Sequence, residues 1–134
     1  MEYLSQHKDF NVQVTKPTEF DRARAFEITR DALNRNPSII GAFAHNDVIA
    51  LGVSDAWSVT TRIPICIVGY NATNEGIAAI KDGRINATIN QFPEKIGQMA
   101  LENALNAQKG DVLPPEIVIQ PDIITRENLT LPFK

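Results

Sequence analysis

The segment from residue 39 to residue 57, IIGAFAHNDVIALGVSDAW, constrains the fold more than any other part of the chain. It opens with a nearly continuous apolar run, residues 39–44, which is typical of a parallel strand covered on both faces. After His45 and Asn46, apolar residues recur at three- and four-residue spacing, as in an amphipathic helix. Asp47 is predicted to cap this helix, so Asn46 lies where strand becomes helix. In an open α/β sheet, this position is the edge at which ligands bind.

Strand-like and helix-like segments alternate along the rest of the chain. Thr18 and Asp21 resemble a capping box at the start of a helix, and the period-two and period-3.6 patterns place the remaining boundaries. Residues 2–7 read as the end of a helix and residues 126–134 as a loose tail. The further predicted strands are residues 10–14, 63–68, 85–90, 116–120 and 121–125, and the further predicted helices are residues 18–34, 74–81 and 94–108. This alternation predicts an α/β fold with a doubly wound, mostly parallel sheet flanked by helices.

The size and charge of the chain exclude several classes of protein. With 134 residues, of which 43% are hydrophobic, the chain can bury one core, as expected of one globular domain or one lobe of a larger protein. Its net charge is −3 and its basic residues do not cluster, so the pattern disfavours a nucleic-acid partner. The sequence has no apolar stretch of about 18 residues that could span a bilayer, and its first residues lack the layout of a secretion signal.

The sequence contains no signature of catalysis. Cys66 is the single cysteine and lies in an apolar run, so we expect a small buried core residue without a disulfide. One cysteine and two widely separated histidines give no spacing for a metal site. A nucleophile turn, a phosphate loop and a dinucleotide fingerprint are all missing, and His45 has no evident catalytic partner. We therefore predict no enzyme, no catalytic residue, no metal and no cofactor.

Three carboxamide side chains follow predicted strands at equivalent places. Asn46, Asn71 and Gln91 each come after a buried strand and before a helix, so a parallel sheet would bring them to one crevice. A primary amide both donates and accepts hydrogen bonds, which suits the hydroxyl groups of a neutral polyol or sugar. Tyr70 and Phe20 lie beside these loops, and an aromatic ring packs well on the C–H face of a sugar. The pattern therefore indicates a sugar-binding site.

Each of these side chains also has a purely structural interpretation. Asn46 and Asn71 could cap helices or satisfy loop backbone groups, and Gln91 alone could be an ordinary surface residue. Phe20 and Tyr70, taken singly, could be packing residues. The occurrence of three amides at one predicted edge favours the binding interpretation.

Five segments resemble, in order and spacing, the carboxy-terminal half of periplasmic sugar-binding proteins of the ribose-binding type. They are KPTEFDRARAFEITRDAL, FAHNDVIALG, IVGYNATNEG, IKDGRINATINQFPEKIGQMA and IVIQPDIITREN. The resemblance implies that the aromatic ring of Phe20 packs on the sugar, that Asn46 binds hydroxyls and that Tyr70 forms an aromatic wall. It also implies that Asn71 stands where the family usually has a hydroxyl-binding aspartate, and that Gln91 binds ligand at the hinge. The replacement of that aspartate by Asn71 leaves the identity of the sugar open.

The same resemblance implies a domain arrangement and partners. Residues 1–91 and 116–126 would form the carboxy-terminal lobe of a type I periplasmic binding protein. Residues 92–115 would cross the hinge and pack on an amino-terminal lobe that this sequence lacks. In the family, the two lobes close over a sugar and deliver it to the membrane subunits of an ABC importer or to a receptor, so the parent protein is expected to be periplasmic. We expect this chain to pair with the missing lobe or to self-associate through residues 92–115.

Two functions compete with sugar transport or sensing: effector binding in a transcriptional regulator, and catalysis. The effector-binding core of a lac-repressor-type regulator has the same fold, but GYNAT and DGRINATINQFP favour the transport branch because such cores usually carry an aspartate-rich turn. An α/β enzyme would need a nucleophile, metal or cofactor signature, and the sequence offers none.

Overall fold

The computed structural model describes residue 6 and residues 9–13, 17–60 and 63–129. In chain order, its elements are helix α1 (Arg22–Arg35), strand β1 (Gly41–Phe43), helix α2 (Asp47–Thr60), strand β2 (Cys66–Tyr70), helix α3 (Asn74–Lys81), strand β3 (Ala87–Asn90), helix α4 (Pro93–Gln108) and strand β4 (Asp122–Thr125). The predicted helix end at residues 2–7 lies outside the described residues except for residue 6, which is in a turn.

The four strands form one sheet in the order β1-β2-β3-β4. The β1–β2 and β2–β3 pairs are parallel, with Phe43 opposite Val68 and Tyr70 opposite Ile89. The β3–β4 pair is antiparallel. The predicted mostly parallel α/β architecture is therefore confirmed.

The core lies between one face of this sheet and the helices α2 and α3. Ile67, Thr88 and Ile124 are neighbours across β2, β3 and β4 on that face, and each is at most 2% exposed. Leu51 of α2 and Ile80 of α3 complete the same buried cluster. Burying these large aliphatic side chains supplies most of the stabilisation of such a domain, at about 25 cal/mol per Å² of apolar surface.

Helix α1 packs on the outer side of α2. A side chain at Gly52 would overlap the carbonyl oxygen of Arg22 and lie 2.8 Å from the Cβ of Ala25, so the two helices touch through backbone at this point. Trp57 of α2 is 7% exposed and its indole nitrogen donates to the carbonyl oxygen of Ile63, so it belongs to the core.

The helix ends follow local sequence signals, with two corrections. Asp21, not Thr18, caps α1, because the Asp21 carboxylate accepts a hydrogen bond from the backbone nitrogen of Arg24 at 2.6 Å. Asp47 is not the cap of α2; it is the first residue of the helix, and the cap is the preceding asparagine. The start of α4 at Pro93 agrees with the prediction, as proline suits a first helical turn.

The predicted coverage of the first strand on both faces is wrong for the described residues. β1 is an edge strand shorter than predicted, and the side chain of Phe43 is 58% exposed. Cys66, predicted to be buried, is exposed at the start of β2. Both side chains lie on the face of the sheet opposite α2, where Ile123 is also 55% exposed. An apolar run indicates strand formation, but it does not tell which face has a neighbour.

Two further strand predictions are also wrong. Residues 10–13 form no strand, and Val14 lies outside the described residues. Residues 116–120 form no strand either, although Ile117, Val118 and Ile119 make a continuous apolar run. A strand-like pattern forms a strand only where another strand can accept its backbone hydrogen bonds, and no described strand pairs with these segments. In the predicted loose tail, Asn128 instead closes an ordered turn by accepting a hydrogen bond from Thr125 at 2.7 Å.

Helix α4 differs from the other helices because none of its residues is buried. Ile96 is 44% exposed, Leu101 is 63% exposed and Leu105 is 47% exposed. Within the described residues, no helix is both long and apolar enough to cross a membrane.

Candidate functional site

The carboxyl ends of β1, β2 and β3 meet at one edge of the sheet because these three strands run parallel. Asn46 follows the end of β1 by three residues, Asn71 directly follows β2, and Gln91 directly follows β3. The backbone therefore brings all three predicted amide residues to this edge, which is where ligands bind in open α/β sheets.

Asn46 caps helix α2. Its Oδ1 atom accepts a hydrogen bond from the backbone nitrogen of Ile49 at 2.8 Å, and its carbonyl oxygen accepts one from Ala50 at 3.1 Å. The prediction that Asn46 could cap a helix is therefore confirmed, and the cap uses its side-chain oxygen. Its Nδ2 group makes no hydrogen bond within the described part of the chain, so one donor group remains for a ligand.

Tyr70 and Asn71 form the junction between β2 and the loop that precedes α3. The ring of Tyr70 is half-buried at the end of the strand, and Asn71 is exposed. Asn71 has a φ of 100° and Ala72 a φ of 52°, so two consecutive residues other than glycine adopt left-handed backbone conformations. Such conformations are costly and cluster at functional sites. Among the described residues, no hydrogen bond uses the amide side chain of Asn71, which is therefore available to a ligand.

Gln91 is half-buried between β3 and α4. Its neighbours Asn90 and Phe92 form a tight turn in which the Oδ1 atom of Asn90 accepts a hydrogen bond from the backbone nitrogen of Phe92 at 2.9 Å. Phe92 has a φ of 54°, so the chain changes direction sharply here. No hydrogen bond within the described residues uses the side chain of Gln91.

Phe20 lies just before α1 and is 69% exposed, so it packs little against the described protein. Its φ of 59° and that of Glu19, 55°, set a sharp entry into the helix. Two residues later, Arg22 donates to Asp55 at 2.8 Å and to Glu75 at 2.9 Å. Glu75 lies in the first turn of α3, so this ion pair ties the start of α1 to the loop that carries Asn71. The hydrogen bond with Asp55 raises the pKa of Arg22 above its usual value, so the guanidinium stays charged.

Asp47, Thr73 and Thr88 form a buried network directly behind this edge, which sequence patterns did not reveal. The carboxylate of Asp47 is 0% exposed. It accepts hydrogen bonds from the hydroxyl of Thr88 at 2.6 Å and from the backbone nitrogen and hydroxyl of Thr73 at 2.7 and 2.8 Å. The available signal was a threonine between Ala87 and Ile89 in a short predicted strand, since a buried hydroxyl needs a partner.

The side chains of Phe20, Asn46, Tyr70, Asn71 and Gln91 carry no formal charge, and the carboxylate that follows Asn46, that of Asp47, is buried and hydrogen-bonded to Thr73 and Thr88. Within the described residues, no group of three or more His, Cys, Asp or Glu side chains is placed to hold a metal ion. The edge therefore offers neutral donors, neutral acceptors and aromatic surface, a combination that suits an uncharged polar ligand.

Comparison with known proteins finds relatives that match nearly the whole chain. The ribose import binding protein of Salmonella typhimurium is 31% identical over 124 residues, which cover 92% of this chain and 42% of that protein. The D-allose-binding periplasmic protein of Escherichia coli is 26% identical over 132 residues, covering 94% of this chain and 42% of that protein. A solved periplasmic solute-binding protein from Actinobacillus succinogenes, with bound D-allose, superposes with a TM-score of 0.86 at 25% identity, covering 96% of this chain and 45% of that one.

The chain thus spans less than half the length of the relatives that it matches. The sequence model of the periplasmic binding protein domain matches residues 1–111, which is most of the chain. The similar solved protein carries the same fold in a segment of corresponding size. On these grounds, the chain belongs to the periplasmic binding protein domain family.

Proposed function

We propose that this chain is one lobe of a sugar-binding protein that holds a monosaccharide or related polyol and serves sugar import or sugar sensing. The observation that carries the proposal is that no hydrogen bond within the described residues uses the side-chain amides of Asn71 and Gln91, which lie at one sheet edge beside Asn46. Asparagines elsewhere on the sheet instead use their side chains within the fold: Asn86 accepts from Ile67, and Asn90 accepts from Phe92. The names of the relatives, which refer to ribose and D-allose, support a sugar as the ligand.

In this proposal, Asn46, Asn71 and Gln91 hydrogen-bond the hydroxyls of the sugar. Phe20 and Tyr70 cover the C–H faces of its ring, where an aromatic side chain gains contact area without competing for hydroxyls. The ligand is uncharged because the five side chains bring no formal charge to balance an ion. Asn71 both donates and accepts, so it can bind a hydroxyl in either orientation.

A complete pocket requires a second lobe in this proposal. Phe20 is 69% exposed and the sheet edge is open to solvent, whereas binding sites for small molecules usually enclose most of the ligand surface. Residues 92–115 are proposed to cross to that lobe, with residues 1–91 and 116–126 forming the lobe described here. The exposed apolar side chains of α4 support this assignment, since a helix without buried residues lacks the contacts that normally hold it in place. In the chain on its own, the same surface is proposed to pair with a second copy.

Isothermal titration calorimetry tests the proposal. The protein that contains this lobe together with an amino-terminal lobe is titrated with D-ribose, D-allose and myo-inositol, and the 134-residue chain is titrated in parallel. We expect heat of binding for at least one sugar with the two-lobe protein and much weaker binding with the chain alone. The absence of heat for all three ligands with the two-lobe protein would overturn sugar binding.

Two substitutions separate the two roles of Asn46. Asn46→Asp keeps an oxygen that can cap α2 but removes the Nδ2 donor, whereas Asn46→Ala removes both. We expect both variants to lose about tenfold or more in affinity, because a lost hydrogen bond to a buried ligand costs about 1–3 kcal/mol. Only Asn46→Ala should also lower the free energy of unfolding, by about 1 kcal/mol, through the lost cap. Unchanged affinity in both variants would remove Asn46 from the site.

A further inference from the structure

The buried carboxylate of Asp47 has no opposite charge beside it. It is 0% exposed, and none of the ion pairs formed by the described residues includes it. Burying a carboxylate is costly unless hydrogen-bond donors replace the lost water. The residue directly follows Asn46, so its position fixes the start of α2 and the candidate site together.

The carboxylate of Asp47 joins three parts of the chain. Its Oδ2 atom accepts from the backbone nitrogen and the hydroxyl of Thr73, and its Oδ1 atom accepts from the hydroxyl of Thr88. Each hydroxyl accepts a backbone hydrogen bond in turn: Thr73 from Gly76 at 3.1 Å, and Thr88 from Ala72 at 3.2 Å. One side chain thus connects the start of α2, the start of α3 and the middle of β3.

Two glycines provide the space for this carboxylate. A Cβ atom added at Gly69 would overlap Oδ1 of Asp47, and a Cβ atom added at Gly76 would overlap Oδ2. The first glycine lies in β2 and the second in the first turn of α3. The carboxylate therefore occupies a space that β2 and α3 leave open between them. A larger residue at either glycine position would displace it.

The network ends on the strained part of the candidate site. Asn71 and Ala72 have φ values of 100° and 52°, which residues with a Cβ atom rarely adopt. Two hydrogen bonds hold them: the backbone nitrogen of Asn71 donates to Ile89 at 2.9 Å, and that of Ala72 donates to the hydroxyl of Thr88. Because the Thr88 hydroxyl gives its proton to Asp47, its oxygen is oriented to accept from Ala72.

We propose that Asp47 is a positioning residue for ligand recognition: it holds residues 71–73 in the conformation, left-handed at Asn71 and Ala72, that presents Asn71 at the sheet edge. This role rests on the proposed binding of a sugar, but its structural part concerns the loop alone. Asp47 itself does not contact the ligand; it acts through Thr73 and Thr88.

A substitution at Thr88 tests the role without changing the size of the side chain. Thr88→Val keeps the volume but removes the hydroxyl, so Ala72 loses its acceptor and Asp47 loses a donor, whereas Thr88→Ser retains the hydroxyl. We expect the backbone amides of Ala72 and Thr73 to exchange with deuterium about tenfold faster in Thr88→Val than in the wild-type chain, and at nearly the wild-type rate in Thr88→Ser. Exchange at these two amides that rises no more than exchange in α1 would overturn the role.

Ser54→Ala is the control for a general loss of stability. Ser54 is a buried residue of α2 whose hydroxyl donates to the carbonyl oxygen of Arg84 at 2.9 Å, away from residues 71–73. This variant loses one buried hydrogen bond, so the core should exchange faster without a selective effect at Ala72 and Thr73. Should Thr88→Val fail to fold by circular dichroism, Asp47→Asn provides the same comparison, since an amide cannot accept from all three donors.

Calorimetry on the two-lobe protein with D-ribose, D-allose and myo-inositol completes the test. We expect Thr88→Val to bind the best of these ligands about tenfold more weakly than the wild type, and Thr88→Ser and Ser54→Ala to bind it within about twofold. A Thr88→Val protein that binds as tightly as the wild type would overturn the positioning role alone. If the wild-type protein binds none of the three, the proposed function fails, whereas the exchange measurement still reports on the loop.

Discussion

Cys66 begins β2 on the face of the sheet that α2 does not cover, and its thiol is exposed. We expect this thiol to react with Ellman's reagent in the folded chain at a rate close to that of the unfolded chain. Cys66→Ser should change the free energy of unfolding by less than about 0.5 kcal/mol, because substitutions at exposed positions usually have small effects. Urea denaturation followed by the fluorescence of Trp57, the only tryptophan, measures this change.

A thiol that resists the reagent until the chain unfolds would contradict this expectation. It would mean that another copy of the chain, or another segment, covers the face that also exposes Phe43 and Ile123. Repeating the reaction over a range of protein concentrations distinguishes these two explanations, because only a second copy protects the thiol in a concentration-dependent way.

At the level of single residues, the sequence placed Asn46, Asn71 and Gln91 at one sheet edge but was less successful with the structural role of each residue. Asn46 could be placed at the junction of strand and helix because an apolar run ended just before it. The prediction of Asp47 as the cap was wrong, since both residue types cap helices well and the cap is Asn46. What decides it is the space left by Gly69 and Gly76, which are distant in the sequence and meet Asp47 only in the fold.

The contact between helices α1 and α2 depends on Gly52. A methyl group here would overlap the carbonyl oxygen of Arg22, which belongs to the backbone and cannot turn away. We therefore expect Gly52→Ala to destabilise the chain by about 1–3 kcal/mol, since the helices must separate to admit it. The loss should appear in urea denaturation followed by Trp57, which lies on α2.

Gly97→Ala is the matched control for this substitution. Gly97 is also helical, in α4, but a Cβ atom here meets nothing within 4 Å. Alanine should raise the helicity of α4 through its higher propensity, worth about 1 kcal/mol, while the unfolding monitored by Trp57 stays the same. A Gly52→Ala chain as stable as Gly97→Ala would contradict the close packing of α1 on α2.

Among the elements, the sequence predicted the helices more reliably than the strands. The 3.6-residue pattern identified α3 at Asn74–Lys81 and placed the start of α4 within one residue, because a helix makes its hydrogen bonds within its own segment. A strand depends on a neighbour instead. Residues 10–13 alternate and residues 117–119 are an apolar run, but neither segment pairs with a described strand, so the pattern alone overestimated the sheet.

At the scale of the whole molecule, α4 is the element that the described fold does not explain. A helix of 16 residues without a buried side chain gains little from tertiary contacts, and isolated helices of this length are marginal in water. Its exposed side chains include Ile96, Leu101 and Leu105. Within the described residues, no segment buries these side chains.

The apolar face of α4 leads to a prediction about self-association of the chain on its own. One copy has a mass of 14.8 kDa, and we expect the average mass in light scattering to rise above this value as the concentration increases. Leu101→Lys should keep the chain at the mass of one copy, because a charge in an apolar interface is costly to bury.

Glu102→Gln is the control: it changes the net charge by the same +1, but the side chain at 102 points about 100° away around the helix. We expect Glu102→Gln to associate like the wild type. A wild-type chain that stays at 14.8 kDa at high concentration would contradict pairing through α4 and leave a second lobe as the proposed partner of this helix.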